Sequence, residues 1–265
     1  MLASGWSFTV DVALRAPTWH ATWHGGRRKI TAWRWGHGPT VLLVHGWEGR
    51  GSQLGAFVEP RVRAGLSVVA FDAPGHGDSP GHRLYLTDLA DCVADVARAV
   101  GPLHAIVAHS FGAAAALLAH QRGAGDAVRN VMIAPNVLIG ESVARFARAV
   151  ALDDHDRTSL ENQLASHRGV PVAALRLEAL VGERDAALLV VHDRADREVP
   201  FNHGERLAEA WREATLHATD GLGHRRILRE PAVIEQVVAF VRHGVAPPAS
   251  ELVREVDRLL ETGGL

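Results

Sequence analysis

The spacing of hydrophobic and polar positions divides the chain near residue 40. Ahead of that point, segments such as Trp19-His20-Ala21-Thr22-Trp23-His24 alternate apolar and polar with the period of two of a half-buried strand. Trp6, Trp19, Trp23, Trp33 and Trp35 fall in such segments, which read as antiparallel edge strands with indole rings covering one face. Beyond residue 40 the apolar runs become short and continuous: 40–44, 66–71, 104–108, 128–133, 187–191, and a weaker 215–218. Continuity of that kind fits strands buried on both faces. Helical patterns lie between them, over about 53–64, 86–100, 111–121 and 203–211. The alternation predicts an α/β fold: a mostly parallel sheet with helices on both faces, binding ligands at loops beyond the carboxyl ends of its strands.

One stretch departs from this rhythm. Residues 137–183 contain no strand pattern, and Ile139, Val143, Phe146 and Val150 share one helical face. Thr158 and Glu161 have the spacing of a capping box, while Pro171 and Gly182 bracket a third helix. The stretch reads as a small helical lid, inserted into a core formed by residues 1–136 and 184–265. Near the end, Leu252, Val256 and Leu259 predict an amphipathic helix with Ser250 as its N-cap.

Composition narrows the function classes. A formal net charge of −2 gives no global field to attract nucleic acid or an acidic membrane. Cys92 is the only cysteine, which excludes an internal disulfide and a cysteine-rich zinc site. No run of roughly 20 apolar residues signals a membrane span, and residues 1–11 lack the pattern of a signal peptide, so a soluble cytoplasmic protein is expected. His20 and His24 alternate as strand residues do, which argues against a helical metal pair. The Trp-rich strands leave a homo-oligomeric interface open.

The candidate chemistry sits at the predicted strand ends. In Ala108-His109-Ser110-Phe111-Gly112, Ser110 stands at a strand-to-helix junction with small residues two positions before and after it, as a sharply projecting nucleophile requires. Ala108 replaces the glycine of the usual G-x-S-x-G pattern. The loop His45-Gly46-Trp47 follows the first buried strand. Its Trp47 backbone N–H, with that of Phe111, would meet the oxyanion of acyl transfer. Gly75-His76-Gly77 lacks the third glycine of a dinucleotide site, and no G-K-[ST] of a P-loop exists. Past the strand at 187–191 come Asp193 and Asp196, and His224 stands in the glycine-flanked loop Gly221-Leu222-Gly223-His224. A serine hydroxyl attacks poorly unless a base removes its proton. Histidine does so near neutrality when a carboxylate holds its tautomer.

These five motifs together resemble the α/β-hydrolase superfamily, in its lidded serine esterase and lipase-like members. The likeness spans residues 40–243 and includes the Asp72-to-Ser79 loop and Asp196-x-x-Val199-Pro200. It implies the chain order Ser110, Asp196, His224 for the triad, with Asp193 as a second candidate acid. It further implies hydrolysis of a small to medium acyl ester without metal or organic cofactor, with His45, Gly46, His109 and Phe146 lining the substrate pocket. Thioester or C–C bond hydrolysis, and an idle small-molecule binding protein on the same fold, stay open at this point.

Overall fold

The structure, a computed structural model, describes residues 6–12, 28–166, 170–183 and 185–244. Trp19, Trp23, His20, His24 and the helix expected after Ser250 lie outside the described residues, as do Leu252, Val256 and Leu259. Eight strands form one sheet: β1 (Trp6–Val12), β2 (Arg28–Trp35), β3 (Thr40–Val44), β4 (Ser67–Phe71), β5 (Leu103–His109), β6 (Ala127–Ile133), β7 (Ala187–Asp193) and β8 (Ala214–Thr219). Their order across the sheet is β1-β2-β4-β3-β5-β6-β7-β8. β1 and β2 run antiparallel at one edge, and every pairing from β4 to β8 is parallel.

The residue pattern explains this order. β3 and β4 are buried along their whole length, as continuous β-branched runs require. Alternate side chains feed two cores. On one face Leu42, Val44, Val69 and Ile106 pack beneath α2 (Leu86–Val100) and α3 (Phe111–Gln121). On the other, Val41, Leu43, Val68 and Val107 meet Phe57 and the apolar side of α9 (Pro231–His243). All strands but β2 carry their carboxyl ends to one rim, where β3, β5 and β7 open into the loops that bear Trp47, Ser110 and Asp196.

Three helical expectations change in detail. Only Val58–Arg63 of the stretch read as 53–64 is α-helix (α1), and it is preceded by 3-10 helix over Gly51–Phe57. Gly51 and Gly55 weaken an α-helix there, and the Gly51 N–H is committed to Asp72 Oδ1 at 2.7 Å. Between β6 and β7 lie α4 (Ile139–Ala149), α5 (Asp154–Ser166), a 3-10 turn over Val172–Ala174 and α6 (Leu177–Val181). α5 begins a turn before Thr158: Asp153 Oδ1 accepts the Asp156 N–H at 2.8 Å, so no Thr158–Glu161 capping box forms. The segment between Pro171 and Gly182 is broken rather than one helix. Two further helices, α7 (Asn202–Ala210) and the short α8 (Gly223–Arg226), flank β8. No helix among the described residues is long and apolar enough to cross a membrane.

Candidate active site

Ser110 joins β5 to α3 at φ 54° and ψ −122°, a left-handed conformation that a non-glycine residue adopts only under surrounding constraint. The constraint is visible. The Ser110 N–H donates to the Ile133 carbonyl at 3.0 Å, and its own carbonyl accepts from Ala113 and Asn136. Two glycines let the neighbouring backbones close in. A Cβ on Gly112 would stand 2.5 Å from the His45 carbonyl oxygen, and one on Gly46 would stand 2.9 Å from Ser110 Cβ. Ala108 is fully buried in this turn, so its extra methyl is accommodated. The Ser110 hydroxyl does not cap α3, leaving the side chain to the cavity it lines.

His224 opens toward the same cavity from α8. Its Nδ1 lies 2.7 Å from Asp196 Oδ2, and both side chains are buried. Asp196 Oδ1 accepts the N–H groups of Glu198 and Val199 at 2.8 and 2.9 Å. Burial alone would raise the Asp196 pKa, but hydrogen bonds from His192, His224 and Val199 outweigh it and hold the carboxyl well below its ordinary range. Asp193 has a different task. Its Oδ2 accepts from Thr219 Oγ1 at 2.7 Å and from the Leu222 N–H at 2.9 Å, pinning the loop that carries His224. Asp196, not Asp193, therefore stands against His224.

Trp47 and Phe111 flank the opening. Their rings meet edge to face at 5.5 Å, and Trp47 is 55% exposed. Among the described residues neither backbone N–H has an acceptor within the chain, whereas the next one, Glu48 N–H, is taken by His76 Nε2. An N–H at the first position of a helix has no intrahelical acceptor, so that of Phe111 is available to an anion.

The pocket expectations divide. His109 lines a cavity of about 470 Å³ together with Ser110, His224 and Asn136. Its Nε2 donates to the His224 carbonyl at 3.0 Å, and burial, aided by the nearby His224, pushes its pKa down to about 3. Phe146 lines a second, largely apolar cavity of about 1000 Å³ with Phe111, Val143, Leu160 and Leu175. Trp47, Glu48 and Asn136 form the wall common to both. His45 and Gly46 line neither, which corrects their expected role. His45 is buried, accepts the Ala73 N–H on Nε2 at 2.9 Å and gives Nδ1–H to the Gly46 carbonyl, so both nitrogens are spent on the scaffold. Burial pushes its pKa down to about 4. Asp72 is likewise structural, tying the Gly51 and Asp78 N–H groups together.

Three contributions escaped the sequence. Asn136 joins the two cavities, His192 touches Asp196, and Asp193 anchors the His224 loop. Only the last had a signal, a carboxylate just beyond a buried strand. Asp153, His155 and Asp156 bring potential ligand atoms within 4.8 Å of one another, but all three are exposed and Asp153 is occupied in capping α5.

Residues 37–167 match a family model described as serine aminopeptidase, S33, and residues 162–252 match one described as TAP-like protein. A monoacylglycerol lipase from Mycolicibacterium smegmatis is 26% identical over 246 residues, covering 76% of this chain and 87% of its own. Est1E from Butyrivibrio proteoclasticus, solved with ferulic acid bound, superposes with a TM-score of 0.66 at 18% identity, covering 81% of this chain and 93% of its own. The monoacylglycerol lipase of Paleococcus ferrophilus gives 0.61 at 21% identity, covering 80% and 97%. With the sheet order, the elbow at Ser110 and these matches in agreement, the chain belongs to the α/β-hydrolase superfamily.

Proposed function

We propose that this protein is a serine hydrolase that cleaves carboxylic esters through an acyl-enzyme on Ser110. The observation that carries the reading is the strained Ser110 elbow on the wall of a cavity it shares with His224, whose other nitrogen is held by buried Asp196. His224 takes the Ser110 proton as Oγ attacks the carbonyl carbon, and Asp196 stabilises the resulting imidazolium. The Trp47 and Phe111 N–H groups receive the negative charge on the substrate oxygen. The protonated His224 then gives its proton to the departing alcohol. Water repeats the sequence to free the acid and restore Ser110.

The shapes of the two cavities support an assignment of the substrate halves. The apolar cavity between the rim and α4–α5 suits the acyl chain, and the cavity bounded by Glu48, Gln53 and Asn136 suits the alcohol. Residues 137–183 act in this reading as a lid over the acyl site. Relatives named monoacylglycerol lipase support an ester as the scissile group.

Hydrolysis of p-nitrophenyl esters from acetate to decanoate, compared between the native protein and Ser110→Ala, tests the proposal. Turnover by the native protein, abolished in the variant, is the expected result. Labelling of Ser110 by a fluorophosphonate without turnover of any ester would keep the nucleophile and change the substrate. Failure of both would favour a binding protein that retains the fold without catalysis.

A further inference from the structure

His192, the penultimate residue of β7, is fully buried and takes no part in the mechanism above. Its Nε2 lies 3.3 Å from Asp196 Oδ2, the oxygen that also meets His224, and 3.1 Å from the Val199 carbonyl. Both neighbours are acceptors, so Nε2 carries the proton. Nδ1 has no hydrogen-bond partner among the described residues and faces Gly204, where a Cβ would stand only 2.6 Å from it. A buried imidazole with one nitrogen unmet is a poor core residue, and leucine would occupy the space without an orphaned polar atom. What histidine adds is the Nε2–H beside Asp196.

We propose that His192 is a positioning residue whose Nε2–H, shared between Asp196 Oδ2 and the Val199 carbonyl, fixes the carboxylate that holds His224. This rests on the serine-hydrolase reading. The carboxylate is then held by four donors. Glu198 and Val199 N–H groups take one oxygen, and the two histidines take the other. The second histidine draws charge from Oδ2 and so moderates how strongly Asp196 favours the protonated form of His224. Other titratable or charged groups around this cluster have their own partners. His109 from β5 donates to the His224 carbonyl, and Asp193 binds the Leu222 N–H. His203 from α7 accepts the Leu138 N–H, and Arg145 from α4 donates to the Glu198 carbonyl. Glu198 is paired with Arg225 at 2.9 Å.

The test compares native protein, His192→Leu and His192→Gln by ester kinetics across pH, with the folded fraction of each measured by thermal unfolding. Loss of one hydrogen bond to a charged group predicts a kcat for His192→Leu lower by about 10- to 100-fold, with KM unchanged. Its acid limb should move to higher pH, because Asp196 then gives its full charge to His224. Gln, which returns an N–H near the same point, should recover both quantities. An unmoved acid limb, or equal loss in both variants, overturns the proposal and leaves His192 a packing residue. Should His192→Leu not fold, ¹⁵N-histidine spectra of the native protein decide: a proton on Nε2 with bare Nδ1 is expected, and a proton on Nδ1 overturns the assignment. The spectra do not depend on turnover. Failure of the serine-hydrolase reading is registered separately, by absence of fluorophosphonate labelling on native Ser110.

Discussion

On the sheet side of the apolar cavity, the residues of β3 and β4 are fully or almost fully buried, and backbones close on one another through Gly46 and Gly112. On the opposite side, α5 buries none of its residues, and Leu160 and Leu164 are half-covered where they line the cavity. The two regions differ in what fixes them. Around Ser110, steric exclusion leaves one arrangement. Between β6 and β7, a few apolar contacts on α4 and α6 hold helices whose outer faces are solvated. On the proposed reading, reaction geometry belongs to the first region, and the second is free to vary with the acyl group.

The same substitution made in both regions breaks or sharpens that contrast. Gly112→Ala drives a methyl into the His45 carbonyl, so activity should disappear and urea unfolding should register a loss of about 3 kcal/mol or more. Near-native activity in that variant would mean the elbow is looser than its contacts imply. A second pair compares leucines. Leu42→Ala, fully buried in β3, should cost about 2–5 kcal/mol. Leu164→Ala should stay within about 1 kcal/mol of native while moving the ester chain-length optimum, a split readable by denaturation and kinetics side by side.

Acid should strike the sheet side first. Burial holds His45 and His109 at about 4 and about 3, against 6.5 in the unfolded chain. For a lowered folded value, the contribution is complete above the unfolded value and drains as pH falls toward the folded one. Each histidine should therefore remove up to about 1.4 kcal/mol per pH unit below 6.5. Asp196 shifts the balance only below the ordinary carboxyl range, so thermal midpoints at pH 7.5 and 5.5 isolate the histidines. Identical midpoints would show that these rings are not buried neutral. The smallest effect belongs to Gly140→Ala at the start of α4, where a Cβ meets open space: a gain of up to about 1 kcal/mol, seen in thermal unfolding without change in kcat.

Much of the fold was legible because continuous β-branched runs have few alternatives to buried strands, and α2 and α3 begin and end where their patterns do. Ser110, Asp196 and His224 were legible as motifs at strand ends, and the structure brings the last two into contact while Ser110 and His224 share a cavity. Three kinds of information were not local. The 3-10 segment Gly51–Phe57 begins at a bond from Gly51 to Asp72, twenty-one residues on. His45 looked like a pocket residue because the loop it begins reaches the rim, but its ring turns inward to Ala73. His192 had no periodicity or spacing to distinguish it, since its meaning is the orientation of one nitrogen toward Asp196.

The sheet order also bears on how the molecule acquires its chemistry during folding. Ser110 follows β5, Asp196 follows β7 and His224 follows β8, and β6 must lie between the first two for the register to hold. β3, which carries the Trp47 loop, pairs with β4 and β5 rather than with the strand before it. Non-local parallel pairings of this kind are slow to form, because loop closure precedes the contacts that reward it. On the proposed serine-hydrolase reading, a nascent chain released before residue 224 would carry Ser110 without the His224 that is proposed to activate it.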